Sequence, residues 1–287
     1  MRAESVLVQA LNGLSFGALL FLLASGFTLI FGLLRIVNLS HGALYLSGGY
    51  VALVTVTATG SYPLAMLAAG LVVGAVGLAV ERSLLRPVRG RELPEVLLTI
   101  GVAFVLADLC LALFGGEPKR VTPPALLSGS VEVAGLAYPR FRVFVVALAV
   151  VIGLGLAFVH SRTRLGAVIR AGVDDRETAA LLGINVDRVF AAMFVAGSVL
   201  AGLAGAIGGS LLTILPGADT EILLSALVVV IIGGLGSIRG AAVGSVLVGL
   251  VDAFSKAWIP DLSYFTVFAP MALVLVFRPT GLFGRVE

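Results

Sequence analysis

Long apolar runs broken by short polar turns set the rhythm of this chain. The runs fall at about 7–34, 41–59, 62–81, 94–115, 141–160, 189–212, 222–238, 240–258 and 264–278. Most approach the 17–25 residues that a helix needs to cross a bilayer, and the later ones are shorter. Eight or nine transmembrane helices are therefore expected. Segment 41–59 and the pair on either side of Arg239 are the places where a re-entrant or broken helix is an open alternative. The start reads as an uncleaved first span, because Asn12, Gly13 and Ser15 interrupt the apolar run and Glu4 spoils a basic leader.

The longest polar break is SRTRLGAVIRAGVDDRETAALLGINVDRVFA, residues 161–191. It holds Arg162, Arg164, Arg170, Asp174, Asp175, Arg176, Glu177, Asp187 and Arg188, nine of the 35 charged side chains (19 basic, 16 acidic). Asp174 and Glu177 have capping-box spacing and Gly183 supplies a stop, so a short helix is expected over about 175–182. So few residues cannot hold a helix alone in water. Leu181, Leu182 and Ile184 must pack on the spans or on another protein, with a plain solvated loop helix as the alternative.

Composition agrees with the pattern. Hydrophobic residues make up 59% and charged residues 12%, against about 45–50% and 25% in a soluble domain, and mean hydropathy is +1.13. A β-barrel would alternate apolar and polar positions in runs of about ten, which this sequence does not do. The fold class is thus an all-α, polytopic transmembrane helix bundle, read as a single domain over residues 1–287. The net charge of +3 does not indicate a nucleic-acid partner, since the arginines sit in loops and at span ends. With Cys110 as the single cysteine, intrachain disulfides and cysteine metal clusters are excluded. If 161–191 is cytoplasmic and nine spans alternate, thirteen Arg and Lys fall inside and six outside. That asymmetry places the N-terminus outside and the C-terminus inside.

Residues 116–140 form one long outer loop with four prolines, expected to be a plug, a docking surface or a plain connector. Gly13/Gly17, Gly70/Gly74, Gly205/Gly209 and Gly240/Gly244 are spaced for close helix packing. Polar residues inside spans are costly and so are candidates for function. Asn38, Ser40 and His41 interrupt two apolar runs; either Asn38 or Ser40 caps the next helix, or the turn dips into the membrane and lines a cavity. Ser237 lies in a second interruption, whose glycines lack the lysine and hydroxyl of a phosphate loop. Asn12 and Ser15 in the first span join the candidate lining. Asp108 lies inside the fourth run, and Asp252 and Lys256 are spaced to pair on one helix face. No catalytic, cofactor or metal constellation is present in the sequence.

The runs GLSFGALLFLLASGFTLIFGLLRIVNLSHGALYLSGGY, RAGVDDRETAALLGINVDRV and VVVIIGGLGSIRGAAVGSVLVGLV together resemble the permease subunit of bacterial branched-chain amino-acid ABC importers, the H-type leucine/isoleucine/valine permease. The resemblance covers essentially the whole chain. It implies a multi-pass protein of the bacterial inner membrane, in contact with lipid. The implied partners are a second homologous permease, two cytoplasmic ATPase subunits that carry ATP and Mg, and an outer substrate-binding protein. It also implies a coupling helix of the E-A-A-x-x-x-G type. Glu177, Ala179, Ala180 and Gly183 match, Thr178 replaces the first alanine, and the downstream Ile-x-Leu-Pro portion is missing. Asp174, Asp175, Arg176 and Leu182 complete the expected contact. The implied function is inward passage of branched-chain or related small hydrophobic amino acids. A self-sufficient secondary transporter or channel for a small polar solute is the alternative.

Overall fold

A computed structural model of the chain describes residues 3–34, 37–133, 135–174 and 176–284. In hydrocarbon each backbone polar group must find its partner within its own segment, so the apolar runs become helices. They are α1 (Ala3–Leu34), α2 (His41–Thr59), α3 (Tyr62–Val80), α4 (Glu92–Phe114), α5 (Arg140–Arg162), α8 (Val186–Leu211), α9 (Ala218–Gly233), α10 (Ile238–Trp258) and α11 (Ser263–Phe277). Between α5 and α8 lie the short helices α6 (Arg164–Asp174) and α7 (Arg176–Leu181). Among the described residues eight helices are long and apolar enough to cross a membrane, α11 being counted together with the helical turn Pro260–Leu262 that leads into it; α9, with 16 residues, is too short for that measure. Where polar residues flank the runs they start helices: the Ser61, Asn185 and Ser237 side chains accept from Leu64, Arg188 and Gly240 backbone N–H groups.

Helices α1 and α8 form the centre, with α2, α3, α9 and α10 around them. Backbones approach closely there because the facing positions lack side chains. Gly13 and Gly17 lie on α10 at Gly249 and Ser245, Gly26 on Gly197, Gly48 on Gly202, and Gly205 on the Tyr45 carbonyl. Helices α4, α5 and α11 carry large apolar side chains outward, among them Phe104, Leu113, Val151, Phe158 and Phe277. Asp108 is also exposed, on α4.

The bundle has two ends. At one, Tyr62 reaches Ala206 and Ser210, and Lys119 pairs with Ile214. The loop expected over 116–140 contains an antiparallel hairpin there, β1 (Ser130–Val133) with β2 (Leu136–Pro139). Asp252 and Lys256 form their pair near that end at 2.8 Å. The opposite end holds α6, α7 and the 81–91 connection, where α3 runs on as a π-helical turn over Glu81–Leu85. There Gly236 meets Gly32, and the chain after α11 folds back so that Leu282 and Phe283 N–H groups cap the Ile232 and Gly233 carbonyls of α9.

Two helices, α2 and α9, do not start at an end, and their first turns meet where Gly42 lies against Asp219 and Leu223. His41 opens α2 beside Leu23 and Gly26 of α1, eight to eleven residues before α1 finishes, about 12–17 Å of helical rise. Segment 37–40 thus runs back into the bundle, where the Leu39 N–H meets the Thr99 hydroxyl.

Candidate functional site

The knob formed by α6 and α7 is built on a small apolar cluster of its own. Ile169 of α6, Ala179 of α7 and Val186, Val189, Phe190 and Met193 of α8 are buried together, with Ile184 and Leu29 packed on them. Leu165, Val168 and Ile169 recur at helical spacing, so the amphipathic signal of α6 is present in the sequence, although only the α7 helix was expected from its capping residues. Gly166 lets α6 turn tightly against the Val159 and His160 carbonyls, which a Cβ would strike. Gly183 ends α7 with φ +82°. Its N–H and that of Ile184 return to the Ala180 and Ala179 carbonyls, a Schellman closure.

Ile184 thus packs on the protein itself, but Leu181 and Leu182 are 88% and 76% exposed. Ala180 is exposed beside them and Ala179 is buried. Asp175, the side chains of Asp174, Arg176 and Glu177, and with them the expected capping box, lie outside the described residues.

A charged network ties the base of the knob to the α3–α4 connection. Arg89 pairs with Glu81 and Asp187, Arg86 reaches Asp187 at 3.0 Å, and the Arg89 guanidinium lies 4.5 Å from the centre of the Phe190 ring. Arg89 and Glu81 are buried at their side chains, 9% and 2% exposed.

The second cluster is the membrane turn. The structure brings Asn38, Ser40 and His41 together, all buried. Ser40 occupies the cap position of α2 but does not cap it, so of the two alternatives open in the sequence the turn that dips among the helices fits, and a Ser40-capped turn does not. The Ser40 hydroxyl donates instead to Asn38 Oδ1 at 2.6 Å, and its N–H reaches the same oxygen at 3.2 Å. His41 Nε2 lies 3.1 Å from the Leu23 carbonyl. Because a carbonyl only accepts, Nε2 carries a proton; a ring at 0% exposure with no described carboxylate bonded to it is held neutral by the cost of burying a charge, so Nδ1 is an acceptor. Asn38 Nδ2 and His41 Nδ1 have no partner among the described residues. Each such atom costs about 1–3 kcal/mol if left unpaired.

The remaining candidates are placed apart. Ser15 lies 2.8 Å from the Tyr138 hydroxyl, and Asn12 Oδ1 accepts from Tyr138 and Arg142. These bonds clamp the hairpin and α5 onto the start of α1. Ser237 caps α10 at the knob end.

A membrane bundle with a polar turn at mid-depth and an apolar knob at one end could belong to several transporter classes. Residues 9–276 match the family described as branched-chain amino acid transport system / permease component. This chain belongs to that family. As a permease component it is similar to the high-affinity branched-chain amino acid transport system permease protein BraD of Pseudomonas aeruginosa, at 35% identity over 98% of this chain and 96% of the relative. It is 31% identical to LivH of Escherichia coli K12, of the same description, over the same shares. A probable branched-chain amino acid transport permease protein of Methanocaldococcus jannaschii is 28% identical over 82% of this chain and 76% of its own. No solved structure matches. In this permease component, sequence reasoning missed Glu81, Arg89 and Tyr138. Glu81 had a signal, a carboxylate in the last turn of an apolar run, whereas Tyr138 in a polar loop had none.

Proposed function

We propose that the chain is the membrane subunit of a binding-protein-dependent ABC importer, passing branched-chain or related small hydrophobic amino acids inward across the bacterial plasma membrane. The observation that carries this reading is the Leu181–Leu182 pair. Two adjacent leucines held out from a helix that is anchored on the protein's own core offer a partner an apolar grip. The partner is one of two cytoplasmic ATPase subunits, which bring the ATP and Mg that this chain is not expected to bind. A second homologous permease completes the pore, and an outer receptor delivers substrate.

On this reading the knob end faces the cytoplasm, with the C-terminus, and the hairpin end faces the receptor. Closing of the ATPase dimer moves α6 and α7 as one body, since they share a cluster with α8. The Arg89–Asp187 tie carries the same motion to α3 and α4, so access to the membrane turn changes with nucleotide state. Asn38, Ser40 and His41 line the passage. Asn12 and Ser15 are proposed at its outer mouth and Ser237 at its inner one. Glu177 and its charged neighbours orient the knob in the ATPase cleft. A self-sufficient transporter leaves the leucine pair without a role, and Asp108, the carboxylate expected to couple an ion in such a transporter, is exposed on the outer face of α4.

The test is co-purification. Burying a leucine contributes about 1.5–3 kcal/mol, so Leu181→Asp with Leu182→Asp should weaken ATPase retention by at least about tenfold and abolish uptake, with membrane insertion unchanged. Unaltered retention would remove the knob from the coupling route.

A further inference from the structure

We infer that the start of α2, with the Asn38 carboxamide and the His41 imidazole, is a binding station for a zwitterionic α-amino acid: the carboxylate meets the free N–H groups of the first turn and Asn38 Nδ2, and the ammonium meets His41 Nδ1. The inference rests on the transport reading and gives that passage a specific recognition chemistry.

The donor half follows from the choice Ser40 makes. An N-terminal turn leaves N–H groups without helical partners, and they carry the positive end of the helix dipole. At α2 the His41 N–H bonds to the Asn38 carbonyl, while the hydroxyl that would cap the following N–H groups is held by Asn38 Oδ1. The carboxamide is pinned over this turn by two bonds to Ser40, both to its oxygen. Its NH2 is therefore the free side, and it is buried with the residue at 2% exposure. A buried, uncapped helix start with an amide donor beside it selects for an anion.

The acceptor half is His41, fully buried at 0% exposure. With Nε2 donating to Leu23, Nδ1 is the ring nitrogen nearer the main chain and has no described partner. A simple anion would leave that acceptor unused and a simple cation would face the helix dipole. A molecule bearing both charges on one carbon answers both. Neutral donors and acceptors hold such a molecule weakly, as a conduit requires.

The station is closed in this conformation. Gly42 packs against the Asp219 carbonyl and Leu223 at the start of α9, where a Cβ would collide. The Asp219 carboxylate accepts from the Gly217 N–H at 3.1 Å. Separation of α2 from α9 is the movement that admits substrate.

Asn38→Asp tests the donor directly, because it keeps the oxygen that Ser40 uses and replaces only the NH2. The complete importer, with this chain, its partner permease, ATPases and receptor, is reconstituted in proteoliposomes. Leucine uptake should fall about 10–100-fold, the range of one hydrogen bond to a charged group, with ATP hydrolysis and assembly retained. Saturation-transfer NMR on the wild-type complex in nanodiscs, without receptor, supplies a measurement independent of any variant. Both 4-methylpentanoate and isopentylamine should displace leucine less well than leucine itself, with the carboxylate the stronger of the two. Wild-type uptake by Asn38→Asp, or no leucine signal, or stronger displacement by the amine, would overturn the station. A wild-type importer that carries no branched-chain amino acid would instead overturn the transport reading beneath it.

Discussion

Arg89 answers to Glu81 and Asp187 while its plane rests on Phe190, so its removal leaves a carboxylate buried at the end of α3 without its paired guanidinium, with only Arg86 and Arg82 acting on it from farther off. Breaking a buried pair from one side costs about 3–5 kcal/mol, whereas replacing both partners with neutral side chains is often nearly harmless. Arg89→Met should therefore lower the melting temperature of the detergent-solubilised protein sharply, and Glu81→Gln added to it should restore most of the loss. Equal melting of the single and double variants would show that the pair is not acting as a unit. Gly183 makes a second case. Its φ of +82° costs an L side chain about 1–2 kcal/mol, so Gly183→Val should loosen α7 and increase proteolytic cutting between α6 and α8 while the spans stay protected. At this scale the sequence showed which residues matter more readily than what they do. The polar break at Asn38, Ser40 and His41 was visible because polar groups are rare inside apolar runs. That Ser40 turns to Asn38 instead of the helix depends on burial by α1 and α4, which no local pattern records.

Elements were more legible, because the bilayer fixes their length and lipid fixes their conformation. The expected apolar runs correspond to nine helices with ends shifted by a few residues, and the Gly pairs mark real contacts. The depth at which α2 begins was left open by the sequence, and so was the fold-back of residues 281–284 onto α9. Both are decided by neighbours distant in the chain. The α2–α8 seam is where packing is least forgiving: Gly48 meets Gly202, and Gly205 sits on the Tyr45 carbonyl. Overpacking usually costs about 1–3 kcal/mol, but here the obstacle is backbone, which cannot rotate away. Gly205→Val should prevent stable accumulation of the protein in the membrane. Gly101→Val, on the open face of α4 where a Cβ meets nothing, should accumulate normally. Comparable accumulation of the two, read by membrane-fraction immunoblot, would contradict the close seam.

At the scale of the whole molecule, orientation joins the knob to the mechanism, and the chain carries its own tool for measuring it. Cys110 is the only cysteine and is buried against Ser47, so a membrane-impermeant maleimide should leave the wild-type protein unlabelled. Leu182 stands 76% exposed on the knob and Leu126 82% exposed in the loop before the hairpin, at the opposite end. The proposed orientation sets the arginine-rich knob end in the cytoplasm, as the positive-inside rule expects. Leu126→Cys should then label in intact spheroplasts, and Leu182→Cys only in inside-out vesicles. Adding the ATPase subunits to those vesicles should slow labelling at Leu182→Cys, because on the proposed coupling route an ATPase subunit covers the same leucine. Labelling of Leu182→Cys from the outside would place the knob on the receptor side, and no cytoplasmic motor could then grip it.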